Sequence, residues 1–367
     1  MQLIKASRDA ILKPLQTVAG IVEKRHTLPI LANVLIRKQG ETVSFTGTDI
    51  EMQVRTSAAV GSGSGDAAVT VSARKLIDIL RALPEGEVTV TQNGNKLSVN
   101  AGKSKFALQT LPAADFPTLA TGTEVNAEVS MPQQRLRHLL QMVHFAMAQQ
   151  DIRFYLNGLL LVMAPDGIRA VATDGHRLAY CAEAGERASA QAEVIMPRKT
   201  VTELLRLLGD SEEPVLVQVI NHQIRISFGE VEFITKLVEG KFPDYQRVIP
   251  TGYSKAIALN REQFGAALQR ASILTNEKFK GVRLSLAPSI LKIQSSNAEQ
   301  EEAIEEIDID YAGAPLEIGF NVSYLLDVLG NLKVDLVKIE FGDSNSSALV
   351  SLPGDDTFKY VIMPMRI

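Results

Sequence analysis

One helix-plus-hairpin script occurs three times in the 367 residues, and this repetition confines the chain to a set of similar domains. In the middle copy Pro197, Arg198 and Lys199 lead into Val201, Leu204, Leu205 and Leu208, whose i, i+3, i+4, i+7 spacing predicts one buried helical face. Alternating strands follow over 215–219 and 223–228, a third carries Phe233, and the copy leaves through Phe242, Pro243, Asp244 and Tyr245. Earlier, Ala73, Arg74 and Lys75 precede Leu76, Ile79, Leu80 and Leu83. Strands over 88–91 and 96–99 then flank Asn93 and Gly94, a hairpin signal, and Phe116 and Pro117 form the exit. Later, Val322, Leu325, Leu326 and Leu329 precede strands over 337–341 and 348–352 with a turn at 343–346. This copy reaches Ile367 with no exit segment, so the two exits read as linkers.

The first half of each copy repeats as well. Ile11, Pro14, Leu15 and Val18 sit at helical spacing, as do Leu136, Leu139, Leu140 and Val143, and Phe264, Ala267, Leu268 and Ala271. Each of these helices leads to a strand-rich stretch, over 28–54, 153–180 and 280–309. Leu15, Leu140 and Leu268 are equivalent at offsets of 125 and 128, and Thr48-Asp49 matches Thr173-Asp174 at 125. That period is a small domain, not a solenoid repeat. Strands in runs, rather than strands alternating with helices, predict an α+β fold in which each domain packs two helices on antiparallel sheet. The domains are expected at 1–124, 125–252 and 253–367.

Composition is that of an ordinary globular chain, 46% hydrophobic and 22% charged. No apolar run approaches the roughly 18 residues of a membrane span, and the first residues lack a basic, then apolar, leader. A cytoplasmic protein is expected, with no membrane partner. A single cysteine, Cys181, excludes an intrachain disulfide framework and a four-cysteine zinc site. His26, His138, His144 and His222 show no ligand spacing, so neither metal nor cofactor is expected. The Gly61 to Gly65 run reads as a flexible surface loop without the lysine and helix of a phosphate loop. Thr173, Asp174, Gly175, His176 and Arg177, with Cys181 nearby, form the one catalytic-looking cluster, which Asp151 and His144 could join. Asp-Gly between strands is first a hairpin turn. A hydrolase using Asp174 and His176 is therefore the alternative, and a non-enzymatic scaffold the main reading, because no catalytic residue recurs in the three copies.

Charge is more informative. The net charge is −4, so any polyanion must be held locally. Seven acids and no base lie between Glu299 and Asp310, with Ile304, Ile307 and Ile309 marking a strand. Acid on a sheet edge blocks casual pairing and invites a basic partner. Lys103 and Lys105 alternate with Phe106 and Leu108 in the first copy, which offers that partner. A basic first edge and an acidic third edge predict head-to-tail association, and two chains would give six domains in a ring. Lys13, Lys24, Arg25, Arg135, Arg137, Arg270, Lys278 and Lys280, with Arg74-Lys75 and Arg198-Lys199, lie on or beside the six helices. A ring lined this way would surround a polyanion through phosphate contacts without reading sequence.

Over its full length the chain resembles the bacterial sliding clamps, the beta subunits of DNA polymerase III. The resemblance is carried by TLPIL (27–31), TGTDIE (46–51), LPAADFP (111–117), ATDGHRL (172–178), KFPDY (241–245), NEKF (276–279), IGFNVSY (318–324) and VIMPMR (361–366). It implies a homodimeric ring that encircles double-stranded DNA and tethers the DNA polymerase III catalytic subunit as a processivity factor. It further implies a groove receiving short motifs from clamp loader subunits, translesion polymerases and repair proteins. By motif, the groove lining would be Leu156, Thr173, Gly175, His176, Arg177, Leu178, Pro243, Val248, Ser347, Val361, Met363, Pro364, Met365 and Arg366, with Arg177 and Arg366 orienting polar groups of the peptide. DNA contacts would involve Arg25, Gln150, Phe154 (Tyr in many members) and Tyr155, beside Arg74, Arg198 and Lys199 of the helix starts. At the dimer interface Phe106 and Leu108 would pack on Ile273 and Leu274, and Lys103 and Lys105 would face Glu299, Glu302 and Glu305.

Overall fold

A computed structural model describes residues 1–22, 28–120 and 122–367. Among these are six α-helices: α1 (Arg8–Ala19), α2 (Ala73–Ala82), α3 (Gln133–Gln141), α4 (Arg198–Leu207), α5 (Arg261–Ser272) and α6 (Val322–Asn331). They start where the sequence supplies caps. Ser7, Ser72, Asn260 and Asn321 each accept an amide hydrogen of the first turn with the side chain, an interaction worth about 1 kcal/mol. The buried stripes follow the expected periodicity with small rotations: Ile77 rather than Ile79 is buried in α2, Val328 rather than Leu326 in α6, and Leu205 is only half-buried. Two stretches expected as strand begin instead with 3-10 turns, Pro29–Ala32 and Phe154–Leu156. Pro29 fixes its own φ and lacks the N–H that a first turn leaves unpaired.

Contacts divide the chain into two compact units. The first comprises Met1–Leu136, Ala188–Ala192 and Glu203–Leu237. It holds a 12-stranded antiparallel sheet, in the order Gln2–Ser7, Glu87–Asn93, Lys96–Ala101, Ser104–Leu111, Ala67–Ser72, Asn33–Gln39, Thr42–Thr48, Met52–Ala58, Val231–Lys236, Gln223–Phe228, Pro214–Ile220 and Ala127–Pro132. Strands of the first and central repeats are thus joined, Met52–Ala58 pairing Val231–Lys236 with Val54 opposite Phe233. Helices α1 and α2 pack on each other and on this sheet. Within the Glu87–Asn93 and Lys96–Ala101 hairpin the two-residue loop is Gly94-Asn95, with Gly94 at φ 58°, so the glycine takes the first central position.

The Gly61 to Gly65 loop departs from expectation. Gly61 N–H donates to the Glu41 carbonyl, Ser62 N–H to the Leu3 carbonyl, and Gln2 Nε2 to Ser62 Oγ. Lys38, 1% exposed, donates from Nζ to the carbonyls of Gly63 (2.9 Å) and Gly65 (2.7 Å). A buried ammonium must find acceptors, and two glycines at φ 77° and 82° supply them. The loop is anchored.

The second unit comprises Arg137–Arg187, Glu193–Thr202 and Val238–Ile367. Its eight-stranded sheet runs Ala192–Pro197, Gly158–Ala164, Gly167–Thr173, Arg177–Glu183, Asp355–Ile362, Ala348–Leu352, Leu336–Phe341 and Lys255–Asn260. Here the central and third repeats join, Arg177–Glu183 pairing Asp355–Ile362 with Cys181 opposite Phe358. A four-stranded sheet, Glu302–Asp308, Ile290–Ser296, Gly281–Ala287 and Leu316–Asn321, completes the unit, and α5 and α6 pack on each other. No helix among the described residues is long and apolar enough to cross a membrane.

Candidate functional site

In the second unit, the turn between Gly167–Thr173 and Arg177–Glu183 is built from its own side chains. Thr173 Oγ1 donates to the Arg177 carbonyl at 2.6 Å and accepts from Gly175 N–H at 3.1 Å. Asp174 Oδ1 accepts from the amides of His176 (2.9 Å) and Arg177 (3.1 Å). Gly175 sits at φ 90°, where a side chain is strained, and a Cβ there would lie 3.0 Å from the Arg153 guanidinium. The turn buries Thr173 and leaves Gly175 and His176 exposed.

Arg177 has a different part from the one expected. Its Nε donates to Asp174 Oδ2 (3.1 Å), Nη1 to Asp327 Oδ2 on α6 (2.6 Å) and Nη2 to the Phe145 carbonyl (2.8 Å). Cζ lies 4.4 Å from the Tyr324 ring centre. All three guanidinium nitrogens are committed inside the protein, because a charge this buried needs partners. Arg177 therefore ties the turn to the third repeat instead of reaching outward.

Around the turn, Leu160, Val162, Val171, Leu178, Ile195, Phe242, Leu349 and Val361 form one buried cluster, with Tyr155, Tyr180, Val238, Tyr245 and Ile249 packed against it. Of the expected lining, Leu156, Leu178 and Val361 are buried, and Ser347, Pro364 and Met365 half-buried. Pro243 and Arg366 are exposed, as are Val248 (45%) and Met363 (49%). Segment 363–365 is fixed at two points, Met363 N–H donating to the His176 carbonyl (2.9 Å) and Met365 N–H to the Gly319 carbonyl (2.8 Å). Tyr253 Oη donates to the Ser347 carbonyl at 2.6 Å. Motif matching missed Leu160, Val162 and Leu349. For Leu160 and Val162 the signal was present as the wholly buried apolar run of Gly158–Ala164, which carries no functional pattern of its own, and Leu349 lies in the strand Ala348–Leu352. Apolar floor, exposed Val and Met, and nearby backbone turns suit a short extended peptide with apolar side chains.

The candidate DNA residues are less uniform. Arg25 lies outside the described residues, as do Lys24 and His26. Arg74 is exposed in the first turn of α2, 3.7 Å from Asp78. Arg198 Nη1 donates to the Met147 carbonyl (3.0 Å), and burial, then Arg177, hold its pKa below the usual value. Lys199 is exposed. In the 149–154 loop Gln150 takes φ 54° and Phe154 is 74% exposed. Ile152, 88% exposed, stands out beside them. Tyr155 differs: the 3-10 turn Phe154–Leu156 carries it toward the buried cluster, so it is not a free surface group. Arg153 grips Asp151 through Nε and Nη2 (3.1 and 2.9 Å) and reaches the Asp174 carbonyl (3.2 Å). These bonds from Arg153 hold the Asp151 carboxyl down to about 2.

Two strand edges carry the remaining candidates. Ser104–Leu111 meets Ala67–Ser72 only at Thr110 and Leu111, so its first part has an open backbone edge. Lys103 belongs to the turn before this strand. Phe106 and Leu108 lie opposite Val99 and Leu97, on the core side of the sheet, and Lys105 lies on the other face. Glu302–Asp308 is the outer strand of the four-stranded sheet. Glu299 sits in the preceding turn, its amide donating to Asn297 Oδ1. Glu305 is not placed with Glu302: strand alternation puts it on the helix side, where Arg270 clasps both its oxygens (2.8 and 2.5 Å) and lowers its pKa. Ile273, 75% exposed, and half-buried Leu274 follow α5.

The hydrolase alternative finds no support. Both Asp174 oxygens are occupied by the turn and Arg177. Cys181 is fully buried, and burial pushes its thiol up to about 12, leaving almost no thiolate near neutrality. No group of three His, Cys, Asp or Glu among the described residues could hold a metal ion.

Comparison with known proteins supplies the family. Residues 1–120, 130–244 and 246–366 match the N-terminal, central and C-terminal domains of the DNA polymerase III beta subunit. The beta sliding clamp of Pseudomonas putida KT2440 is 49% identical over 362 residues, and that of Escherichia coli K12 is 45% identical over 361, each alignment covering 98% of both chains. The crystal structure of the sliding clamp from Pseudomonas aeruginosa with ligand superposes with a TM-score of 0.96 at 47% identity, and Caulobacter crescentus pol III beta with 0.93 at 36%, over the whole of each chain. With a threefold repeat and matches along its whole length, the chain belongs to the DNA polymerase III beta subunit family, the beta sliding clamps.

Proposed function

We propose that this chain works as a head-to-tail homodimer that encircles duplex DNA, without reading its sequence, and holds the polymerase III catalytic subunit there for processive synthesis. One observation carries the ring. The fourth strand of the first repeat, Met52–Ala58, pairs with the last strand of the second, Val231–Lys236. The fourth of the second, Arg177–Glu183, pairs with the last of the third, Asp355–Ile362. This leaves over the fourth strand of the third repeat, Glu302–Asp308, and the last of the first, Ser104–Leu111. They are the same kind of pair, and pairing between two copies would complete the scheme. Continuing the sheet puts Lys105 on the outer face with Glu302 and Glu306, and Phe106 and Leu108 on the helix side near Ile273 and Leu274.

In this reading the domains are 1–124, 125–252 and 253–367. Arg74, Arg198, Lys199, Gln150 and Phe154 approach phosphate. The surface around His176, Val248 and Met363 receives motifs from the polymerase, the clamp loader, translesion polymerases and repair proteins. The chain is non-catalytic and works in the cytoplasm. Light scattering tests the ring: wild type should have twice the 40.0 kDa chain mass, and Ile273→Ala with Leu274→Ala should fall toward monomer. A wild type that is monomeric at micromolar concentration would remove it. Encirclement further requires that loaded protein leave linear duplex quickly and remain on closed circles.

A further inference from the structure

The IGFNVSY stretch supplies the Asn321 cap of α6 and the Tyr324 ring beside Arg177, and its glycine meets segment 365–367. Gly319 lies in the outer strand Leu316–Asn321, which pairs with Gly281–Ala287 so that Gly281 faces Asn321 and Arg283 faces Gly319. The two glycines leave a bare patch two residues apart along the ladder. Segment 365–367 fills it. A Cβ on Gly319 would lie 2.5 Å from the Met365 carbonyl oxygen and 2.7 Å from Ile367 Cδ1, closer than real Cβ contacts come. On Gly281 it would meet only side-chain ends, Ile367 Cγ1 at 3.2 Å and Met365 Cε at 3.6 Å. Neither glycine has a positive φ, so the need for glycine here is space, not backbone conformation.

Segment 363–365 spans from the His176 carbonyl to the Gly319 carbonyl by the amides of Met363 and Met365. In an extended chain these two amides point to one side and that of residue 364 to the other. Proline at 364 therefore removes only the donor that neither carbonyl could receive. We infer that Gly319, with Gly281 assisting, is a positioning residue for the docking surface: the bare patch seats Met365 and Ile367 and so sets where Met363 and Pro364 stand against an incoming peptide. The inference rests on the docking role proposed above.

The test uses the full-length dimer, a fluorescent synthetic peptide carrying a clamp-binding motif of the polymerase III catalytic subunit, and four variants. Met363→Ala reports on the docking role alone. Gly319→Ala should weaken peptide binding about tenfold and speed hydrogen exchange at the Met365 amide, with dimer mass and melting temperature close to wild type. Gly281→Ala should weaken binding about twofold, and adding Ile367→Ala to it should restore affinity, a rescue that general destabilisation would not give. If Met363→Ala weakens binding while Gly319→Ala and Gly281→Ala bind as wild type, the inference is overturned. If Met363→Ala has no effect, the docking role fails. Met365 exchange that is unchanged in Gly319→Ala overturns the seat itself, whatever the peptide does.

Discussion

The turns at 48–52 and 173–177 are the same object with different uses. In the first, Thr48 Oγ1 donates to the Met52 carbonyl and accepts from Ile50 N–H, and Asp49 Oδ1 accepts from the amides of Glu51 and Met52. The second repeats all four bonds with Thr173, Asp174, Gly175, His176 and Arg177. The Thr-Asp pair is therefore architecture, which is why it recurs. What differs is the residue at positive φ, Ile50 at 79° against Gly175 at 90°, and the residue that ends the turn, buried Met52 against Arg177. The first turn carries a β-branched side chain in a strained conformation. The second is relaxed there, keeps the space that Arg153 occupies, and spends its last residue on tying two repeats together. Function in a repeat protein lies in what the copies do not share.

The comparison can be broken most severely at its last residue. Arg177→Met, which makes the second turn end as the first does, leaves Asp174 Oδ2, Asp327 and the Phe145 carbonyl without their donor and should cost about 3 kcal/mol, read as a lower denaturant midpoint. An unchanged midpoint would mean the network contributes nothing net. Removing the shared carboxylates comes next. Asp174→Ala and Asp49→Ala should each cost about 1–2 kcal/mol, since each leaves two turn amides without their acceptor; an unchanged midpoint in either would contradict the shared architecture drawn here. Ile50→Gly should change stability little or raise it by up to about 1 kcal/mol, relief of the left-handed strain offsetting lost side-chain packing, whereas Gly175→Ile should destabilise.

The smallest effect is electrostatic. The bonds from Arg153 depress the Asp151 carboxyl to about 2. A depressed carboxylate contributes stability above its unfolded value of about 4, and the contribution is lost as pH falls through the folded value. The Arg153–Asp151 grip should therefore persist at pH 3 and fade near pH 2. Carboxyl NMR titration of Asp151 would check this, and a midpoint near 4 would contradict it.

The repeats, the six helices and the 173–177 turn were legible because each depends on residues near in sequence: period 3.6, period 2, and Asp-Gly between two strands; the matching offset of Thr48-Asp49 was visible, its turn was not. Arg177's bond to Asp327 spans 150 residues and leaves no local pattern. The same holds for the seat at Gly319, whose meaning depends on which segment crosses it. Glu305 shows the limit of reading charge along a strand: seven acids look alike in sequence, but alternation sends this one to Arg270 on the helix side. The open edges lay in between. Their composition was visible, while their being the unmatched strands of an otherwise closed scheme required the pairing order.

Lys38 has a practical consequence. A glycine- and serine-rich surface loop is the usual place to insert an epitope or permute a chain. Here its carbonyls fold around an ammonium much as a crown ether folds around a cation. An insertion between Gly63 and Gly65 would strand that cation in the protein interior, so tags and fluorophores belong elsewhere on this molecule.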